Sequence, residues 1–444
     1  MNGALIIWNR GIFKFSNVFE VTLGKVDDEY MAMKNDFQIV EIAKPDLLNN
    51  KVKDALNDFS QLFPEDKSAR ILLKPNFNSN FNALTGNTTD FRLLAAVIEF
   101  LQERGYSNIT IAEGTNSGFV REKVSVINRL KADRLAAHYG VEMIDLNTWS
   151  QSIDVPLENG VLVQVADLLA ATDFVINMPK LKTHFEVGMS VCLKNLIGTC
   201  IGRENKKKIH GSLAKNIVHL NEVIKPKLHI VDGLIAMEGN GPSRGTPVNY
   251  GKIIIGTNPF QIDHICARLI GFPRGEVKTL VEAKNMNLIT DNEYKLWESI
   301  SLNKYVREFK RPELTPLVAF VIDPRFQKHL IRIRYAPVIN TVCSTESVKS
   351  IFYALGISHE RIRNKDAELS FKLDLDKCDA CYKCEYYCPV GIELKEIARG
   401  GGKNCIGCLY CFSVCPKQAI SLEGDLGFYA DQINTYGNLI RDIS

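Results

Sequence analysis

Cys378, Cys381, Cys384 and Cys388 are followed by Pro389, and the same spacing returns as Cys405, Cys408, Cys411 and Cys415 before Pro416. Three thiolates at steps of three wrap one face of a cubane cluster, and the cysteine before the proline reaches the other cluster. The spacing therefore predicts two [4Fe–4S] clusters. Cys378, Cys381, Cys384 and Cys415 would hold one, and Cys405, Cys408, Cys411 and Cys388 the second. Structural zinc wants CxxC pairs separated by a longer spacer, often with histidine, and no histidine lies in this segment. Disulfides belong to oxidising compartments and small secreted domains. The CxxxCxxC spacing of a radical-SAM cluster does not occur. Iron–sulfur clusters carry electrons singly, so this end of the chain is expected to handle electrons.

The segment from about Phe371 to Gly424 resembles a bacterial-type two-cluster ferredoxin, a small α+β domain. Short strands at Leu369–Leu375 and Ala419–Leu422 are expected to flank the clusters and pair with each other. At 444 residues the chain is long enough for two or three domains, and 45% hydrophobic residues suffice for a buried core. A formal charge of +3 argues against nucleic-acid binding. Lys206-Lys207-Lys208 reads as a solvated loop. Cys192, Cys200, Cys266 and Cys343 read as packing residues. The amino-terminal apolar stretch Ala4–Trp8 is too short for a signal peptide, and no run approaches a membrane span, so a cytoplasmic protein with no membrane partner is expected.

The elements that must position further chemistry lie ahead of the cysteines. Strands are predicted at Ala69–Leu73, Asn108–Ala112, Val141–Leu146, Phe174–Asn177, Leu228–Val231 and Lys252–Ile255. Helices are predicted from the Thr88-Thr89-Asp90 cap to about Arg104, over Val120–Tyr139 and over Pro259–Leu269. This β-α-β-α-β order favours an α/β fold, a mostly parallel sheet flanked by helices. Lys74-Pro75-Asn76, Glu113-Gly114, Asn177-Met178-Pro179-Lys180 and Asp232-Gly233 each stand at the carboxyl end of a predicted strand, the edge where open α/β sheets bind ligands. Any one of them serves equally well as a cap or turn; four together point to a site. Lys180, Lys182, Thr183 and His184 crowd one segment. Lys194 and Asn195 sit inside an apolar run, where a lysine must snorkel, pair with an acid or meet a ligand. Met237–Gly245 reads as a tight loop carrying Glu238.

KPN after a strand, NMPKLKTH, LKNLIG, VDGLIAMEGNGP and the Gly256–Asp263 segment resemble the DUF362 family over roughly Ile71 to Phe272. The resemblance implies an architecture and a site but no reaction. It places Lys74, Asn76, Lys180, Lys182, His184, Lys194, Asn195, His210, Asp232, Glu238 and Asp263 at motif positions. Many members carry Asp-Pro where this chain has Asn258-Pro259, so an acid at 258 has no role here. The expected division is an α/β domain over 1–275, a connecting subdomain over 276–368, the cluster domain over 369–425 and a tail over 426–444. Within the connecting segment Asn292–Ile300 and Thr345–Leu355 look helical, and Leu317–Val321 suits an added strand.

An iron–sulfur oxidoreductase acting on an anionic small molecule accounts for these features best. Lysines suit a carboxylate or phosphate. Lys180, His184, Lys194 and Glu238 are the catalytic candidates; Lys74, Asn76, Glu113, Lys182, Asn195 and Asp232 are the substrate-binding ones. His184, Glu113 and Glu238 are candidates for proton delivery. Single-electron clusters and two-electron organic reductions must be reconciled, by storage on two clusters or through a flavin or further metal, though no motif announces either. The alternative is a non-enzymatic electron carrier whose α/β domain recognises a partner or effector. A third class has clusters in a structural role beside a non-redox enzyme. Each redox reading needs an electron donor or acceptor protein.

Overall fold

The computed structural model describes residues 37–273, 275–313, 345–355 and 362–444, with short stretches outside these ranges. Near the amino end, Ile12–Lys14 and Glu20–Thr22 pair antiparallel in a unit of their own. The rest is built on a nine-stranded sheet. Its strands are β1 (Phe37–Glu41), β2 (Ile71–Lys74), β3 (Ile109–Glu113), β4 (Glu142–Asp145), β5 (Phe174–Asn177), β6 (Lys180–His184), β7 (Gly188–Ser190), β8 (Leu228–Glu238) and β9 (Thr246–Gly256). They lie in the order β4-β3-β2-β5-β8-β9-β1, while β6 continues β5 along the same edge of β8 and carries β7 beyond it. β2, β3, β4, β5, β6 and β8 are parallel to their neighbours in that series; β9 runs antiparallel between β8 and β1.

Alternation along β2 explains the two layers. Ile71 and Leu73 face a core shared with Phe91, Leu94 and Ile98 of the helix Phe91–Glu103, whereas Leu72 joins Ala112 and Val175 in a second core under the helix Leu213–Val223. The Asp90 carboxylate caps the first of these helices by accepting the Arg92 N–H (2.9 Å), and Gly105 in a left-handed conformation follows its end. The chain winds from β2 outwards through β3 to β4, then returns to place β5 on the other side of β2. β2 and β5 therefore flank the point where strand order reverses, the place at whose carboxyl ends open α/β sheets commonly bind ligands.

Three expectations need correction. The helix predicted over Val120–Tyr139 is three pieces, Ser117–Glu122, Val126–Leu130 and Ala132–Tyr139, because Lys123 and Lys131 take left-handed backbone angles. Asp232-Gly233 does not end a strand: β8 runs on to Glu238, with a register shift between Gly233 and Ile235. Lys206 is not solvated, since it is buried on the helix Gly202–Ile209. The segment expected to connect the domains holds the helix Asp291–Ser299 and adds Val277, Leu302 and Phe309 to the core beside β9. The helix Glu346–Ala354 falls within the expected Thr345–Leu355, whereas the strand suggested over Leu317–Val321 and the packing role of Cys343 fall outside the described residues apart from 319–320, which are helical. Cys192, Cys200 and Cys266 are buried.

In the cysteine-rich domain β10 (Glu368–Leu373) pairs antiparallel with β11 (Ile420–Asp425), as expected. Its Tyr387, Ile406, Tyr410 and Val414 enter the same core as Phe91 and Leu73. Burying Ile406 and Val414 contributes about 1.5–3 kcal/mol apiece. The residues expected as a tail form the helix Tyr429–Ile443, whose Tyr436 hydroxyl donates to Ser243 O (3.3 Å) or Gly245 O (3.2 Å) and whose Gln432 Oε1 accepts the Asn82 N–H (2.9 Å). No helix among the described residues is long and apolar enough to cross a membrane.

Candidate functional site

The two cysteine runs adopt one backbone path twice. Ala380 and Tyr382 are left-handed in the first, Gly407 and Leu409 in the second, and Gly391 matches Gln418 in the same way. Such turns aim successive N–H groups at a common centre, the kind of concavity that favours an anion. Cys388 Sγ accepts the Ile392 N–H (3.3 Å), and Cys415 Sγ accepts the Ala419 N–H (3.3 Å), again at equivalent positions. Cys378, Cys381, Cys384 and Cys415 line one small cavity. Cys388 lies among Cys405, Cys408 and Cys411, close enough for each thiol to raise another's pKa on top of the larger effect of burial. This exchange of the fourth cysteine fits two [4Fe–4S] clusters, which the domain carries.

At the carboxyl ends of these strands the polar side chains meet in a largely buried, connected network. Lys74 Nζ donates to Glu113 Oε2 (2.8 Å) and to Pro75 O (3.0 Å), with both side chains buried. Gly198 makes this approach possible, because a Cβ there would lie 2.1 Å from Glu113 Oε1 and 2.7 Å from Lys74 Nζ. Lys182 Nζ donates to Asn76 Oδ1 (2.9 Å) and Asn87 O (2.7 Å). Asn76 Nδ2 donates to Asn195 Oδ1 (2.8 Å), and Asn195 Nδ2 donates to Asn177 Oδ1 (2.7 Å). Asn177 in turn faces His229 Nδ1 (3.1 Å). Burial lowers the His229 pKa to about 3, so its ring is neutral.

Lys180 Nζ donates to Asp232 Oδ2 (2.9 Å), and the same oxygen accepts the Asp90 N–H (2.7 Å). Asp232 Oδ1 accepts the Leu234 N–H (3.0 Å), which fills the gap that the strand's register shift leaves. Arg92 chelates the Asp90 carboxylate, with Nη2 2.7 Å from Oδ2 and Nε 3.1 Å from Oδ1. The Arg92 guanidinium lies 4.1 Å from the centre of the Tyr387 ring, next to Cys388, and Tyr410 stacks on Phe91. A chain of contacts thus runs from Lys180 through Asp232, Asp90 and Arg92 to the second cluster.

Burial pushes the Asp232 carboxyl up against the opposing pull of Lys180. At Asp90 burial also pushes up, but Arg92 outweighs it and the net shift is downward. Burial raises Glu113 and lowers Lys74, each partly offset by the other.

The remaining candidates lie apart from these pairs. Lys194, on the short helix Cys192–Asn195, is partly exposed and has no hydrogen-bond partner among the described residues; burial of its surroundings lowers its pKa to about 8. Asp263 holds that helix by accepting the Cys192 N–H (2.8 Å) and Leu193 N–H (3.3 Å), and burial raises its pKa to about 7. His184 Nδ1 accepts the Glu186 N–H (3.1 Å), while His210 stands 3.8 Å from Glu186. Glu238 binds the Lys310 N–H (3.1 Å) at the end of β8 and so is engaged in chain packing.

Sequence reasoning missed Lys206, Asp90 and Arg92. Lys206 Nζ donates to Thr115 O (2.6 Å) and to Asn147 Oδ1, and burial lowers its pKa to about 8 beside Glu113. Its signal was helical spacing, since Asn205, Lys206 and Ile209 share a buried face.

Residues 71–268 match the family described as "Domain of unknown function (DUF362)", and residues 370–416 match the family described as "4Fe-4S dicluster domain". A thylakoid-associated protein of Synechocystis sp. is 28% identical over 235 residues, covering 49% of this chain and 68% of that protein. Pyruvate synthase subunit PorD of Thermotoga maritima is 36% identical over 63 residues, 14% of this chain and 64% of the subunit. An uncharacterized protein of Methanocaldococcus jannaschii is 36% identical over 82 residues, 18% of this chain and 28% of its own length. Among solved structures, the lactate racemase apoprotein of Thermoanaerobacterium thermosaccharolyticum aligns with 49% of this chain and 53% of its own, at 12% identity and a TM-score of 0.34.

Proposed function

This chain joins a DUF362 domain to a C-terminal 4Fe-4S dicluster domain, and on that premise we propose that it is an iron–sulfur oxidoreductase acting on an anionic small molecule at the carboxyl ends of β2, β5 and β8. The clusters supply electrons one at a time. The contact chain from Arg92, set against Tyr387, to the Lys180–Asp232 pair carries the reading, because it links the cluster domain to those strand ends without a second protein. Exposed Cys381 and Tyr382 favour the first cluster as the face a redox partner meets.

Lys194 is the residue best placed to take a carboxylate or phosphate, since it is half-buried and, among the described residues, has no hydrogen-bond partner, with only the Glu186 carboxylate favouring its charge. Glu113, whose carboxyl burial raises, is suited to hold and deliver a proton beside Lys74. Asn76 and Asn195 orient the strand ends through their mutual hydrogen bond.

One observation favours the carrier alternative: Lys74, Lys180 and Lys182 already have internal partners. The test uses anaerobically prepared protein reduced with dithionite and mixed with carboxylates and phosphate monoesters one at a time. One class should reoxidise the clusters, and Lys194→Ala should lose that reaction while dithionite still reduces it. Reoxidation by acidic redox proteins alone, with every small anion inert, would replace the enzyme with the carrier.

A further inference from the structure

A second cleft, of about 650 Å³, opens where residues 129–134 of the α/β domain face the cluster domain. Lys131, Arg134 and Asn82 line it on one side, and Cys408 and Phe428 on the other. Each of the first three brings a donor with nothing to donate to. Among the described residues neither Lys131 nor Arg134 has a hydrogen-bond or ion-pair partner; burial and then the Arg134 cation lower the Lys131 pKa, and the Asp133 and Asp366 carboxylates only partly offset them. The Asn82 side-chain oxygen accepts the Leu84 N–H (3.1 Å), but its Nδ2 is buried with no acceptor. An orphaned buried donor costs about 1–3 kcal/mol, so its persistence beside two cations without hydrogen-bond partners points to a missing acceptor-rich partner.

The cleft's position says what kind of partner. Arg134 lies against Gly407, where a Cβ would sit 3.6 Å from its guanidinium, and Gly407 lies between Cys405 and Cys408 of the second cluster. Lys131 holds a left-handed φ of 69°, a conformation that costs a non-glycine residue about 1–2 kcal/mol. Leu130, Leu369 and Leu409 give the cleft apolar wall, and its size is that of a small-molecule site rather than a flat docking face. Glu368 and Glu423, both exposed on the strand side, add acceptors for hydroxyl groups.

We propose that this cleft binds a phosphorylated flavin of the flavin mononucleotide class, with its phosphate on Lys131 and Arg134 and its ring beside Cys408. The phosphate meets the two cations, a ring carbonyl meets the Asn82 amide, and the ribityl hydroxyls meet the glutamates. A flavin accepts electrons singly and yields them as a pair, which reconciles one-electron clusters with two-electron organic chemistry. Full reduction takes two electrons, each leaving a reduced [4Fe–4S] cluster oxidised, and two protons from water. The electrons come from the redox partner, or from dithionite in vitro. The proposal rests on the clusters and not on the identity of the anionic substrate.

Equilibrium dialysis of flavin mononucleotide against the cluster-loaded protein tests it, with riboflavin as the phosphate-free probe. Flavin mononucleotide should bind at a single site and riboflavin at least about tenfold more weakly, the worth of one charge-assisted hydrogen bond. Lys131→Asn, chosen because asparagine tolerates the left-handed backbone, and Arg134→Gln should each weaken flavin mononucleotide by about tenfold and leave riboflavin and cluster absorbance unchanged. Absence of binding, equal affinity for riboflavin, or undiminished binding by the double variant would each overturn the proposal. Dialysis reads flavin binding alone, and the reoxidation test, run with and without added flavin mononucleotide, reads turnover, so the two readings fail separately.

Discussion

Replacing Lys180 by methionine keeps most of the length of a side chain that is fully buried and strips its charged end. Asp232 is left with the N–H groups of Asp90 and Leu234 but no cation, and its surroundings already push its carboxyl up. Breaking a buried pair from one side costs about 3–5 kcal/mol, because the surviving charge has neither water nor partner. Arg70–Asp173 is an internal control, with side chains 54% and 46% exposed, and Arg70→Met should cost under about 1 kcal/mol. The Lys180→Met deficit should depend on pH. A carboxyl raised in the folded state binds protons there that the unfolded chain releases, so stability recovers as pH falls from 7 towards 5. The double variant Lys180→Met/Asp232→Asn should regain about half the loss and lose the pH dependence, since the amide keeps an acceptor without a charge. Anaerobic urea denaturation of cluster-loaded protein, followed by fluorescence of Trp149 and buried Trp297, reads all four proteins. A Lys180→Met cost equal to that of Arg70→Met would refute the claim that the pair holds the β6–β8 junction.

Anaerobic protein should hold about eight irons per chain, and Cys388→Ala and Cys415→Ala should each impair the cluster of the other cysteine run; EPR showing damage within the same run would overturn the wiring. Arg92→Gln leaves Asp90 as a net negative charge near the second cluster, so one midpoint potential should fall by tens of millivolts, where about 59 mV is a tenfold change for one electron. Asp90→Asn should shift it upwards, and two unmoved potentials would show the pair to be electrically silent. Asp263, raised to about 7, binds a proton in the fold that the unfolded chain has lost, so it makes stability fall as pH rises from about 4 to 7. Asp263→Asn should flatten that slope in urea titrations across the same range; an unaltered slope would assign it to other groups.

Much of this was legible because local signals agreed. Asp90, the apolar face of 91–103 and Gly105 announce one helix, and the cysteine spacing announces the cluster domain down to its paired strands. The breaks at Lys123 and Lys131 carry no glycine or proline; each lysine is the left-handed C-cap of the short helix before it, its N–H turned back onto that helix's last carbonyls. Asp232 mimics a strand end because a carboxylate is foreign to a buried ladder; the distant Lys180 is the cation that makes it admissible. Lys206 reads as solvated and Arg92 goes unmarked for the same reason. Their partners, Asn147 and Tyr387, are 59 and 295 residues away, and no local pattern encodes such a meeting.

The helix Tyr429–Ile443 turns the position of the clusters into a kinetic property. A separate ferredoxin must find its client by diffusion, and its delivery rate scales with concentration. Here Tyr436 and Gln432 fasten that helix to the turns at Ser243, Gly245 and Asn82, so the delivery partner is always present at its docking place. With the α/β domain as the proposed site of reduction, electron delivery between the two domains would be a first-order event, independent of how dilute the protein is. Dilution can then slow only the outer step, in which a redox partner recharges the clusters.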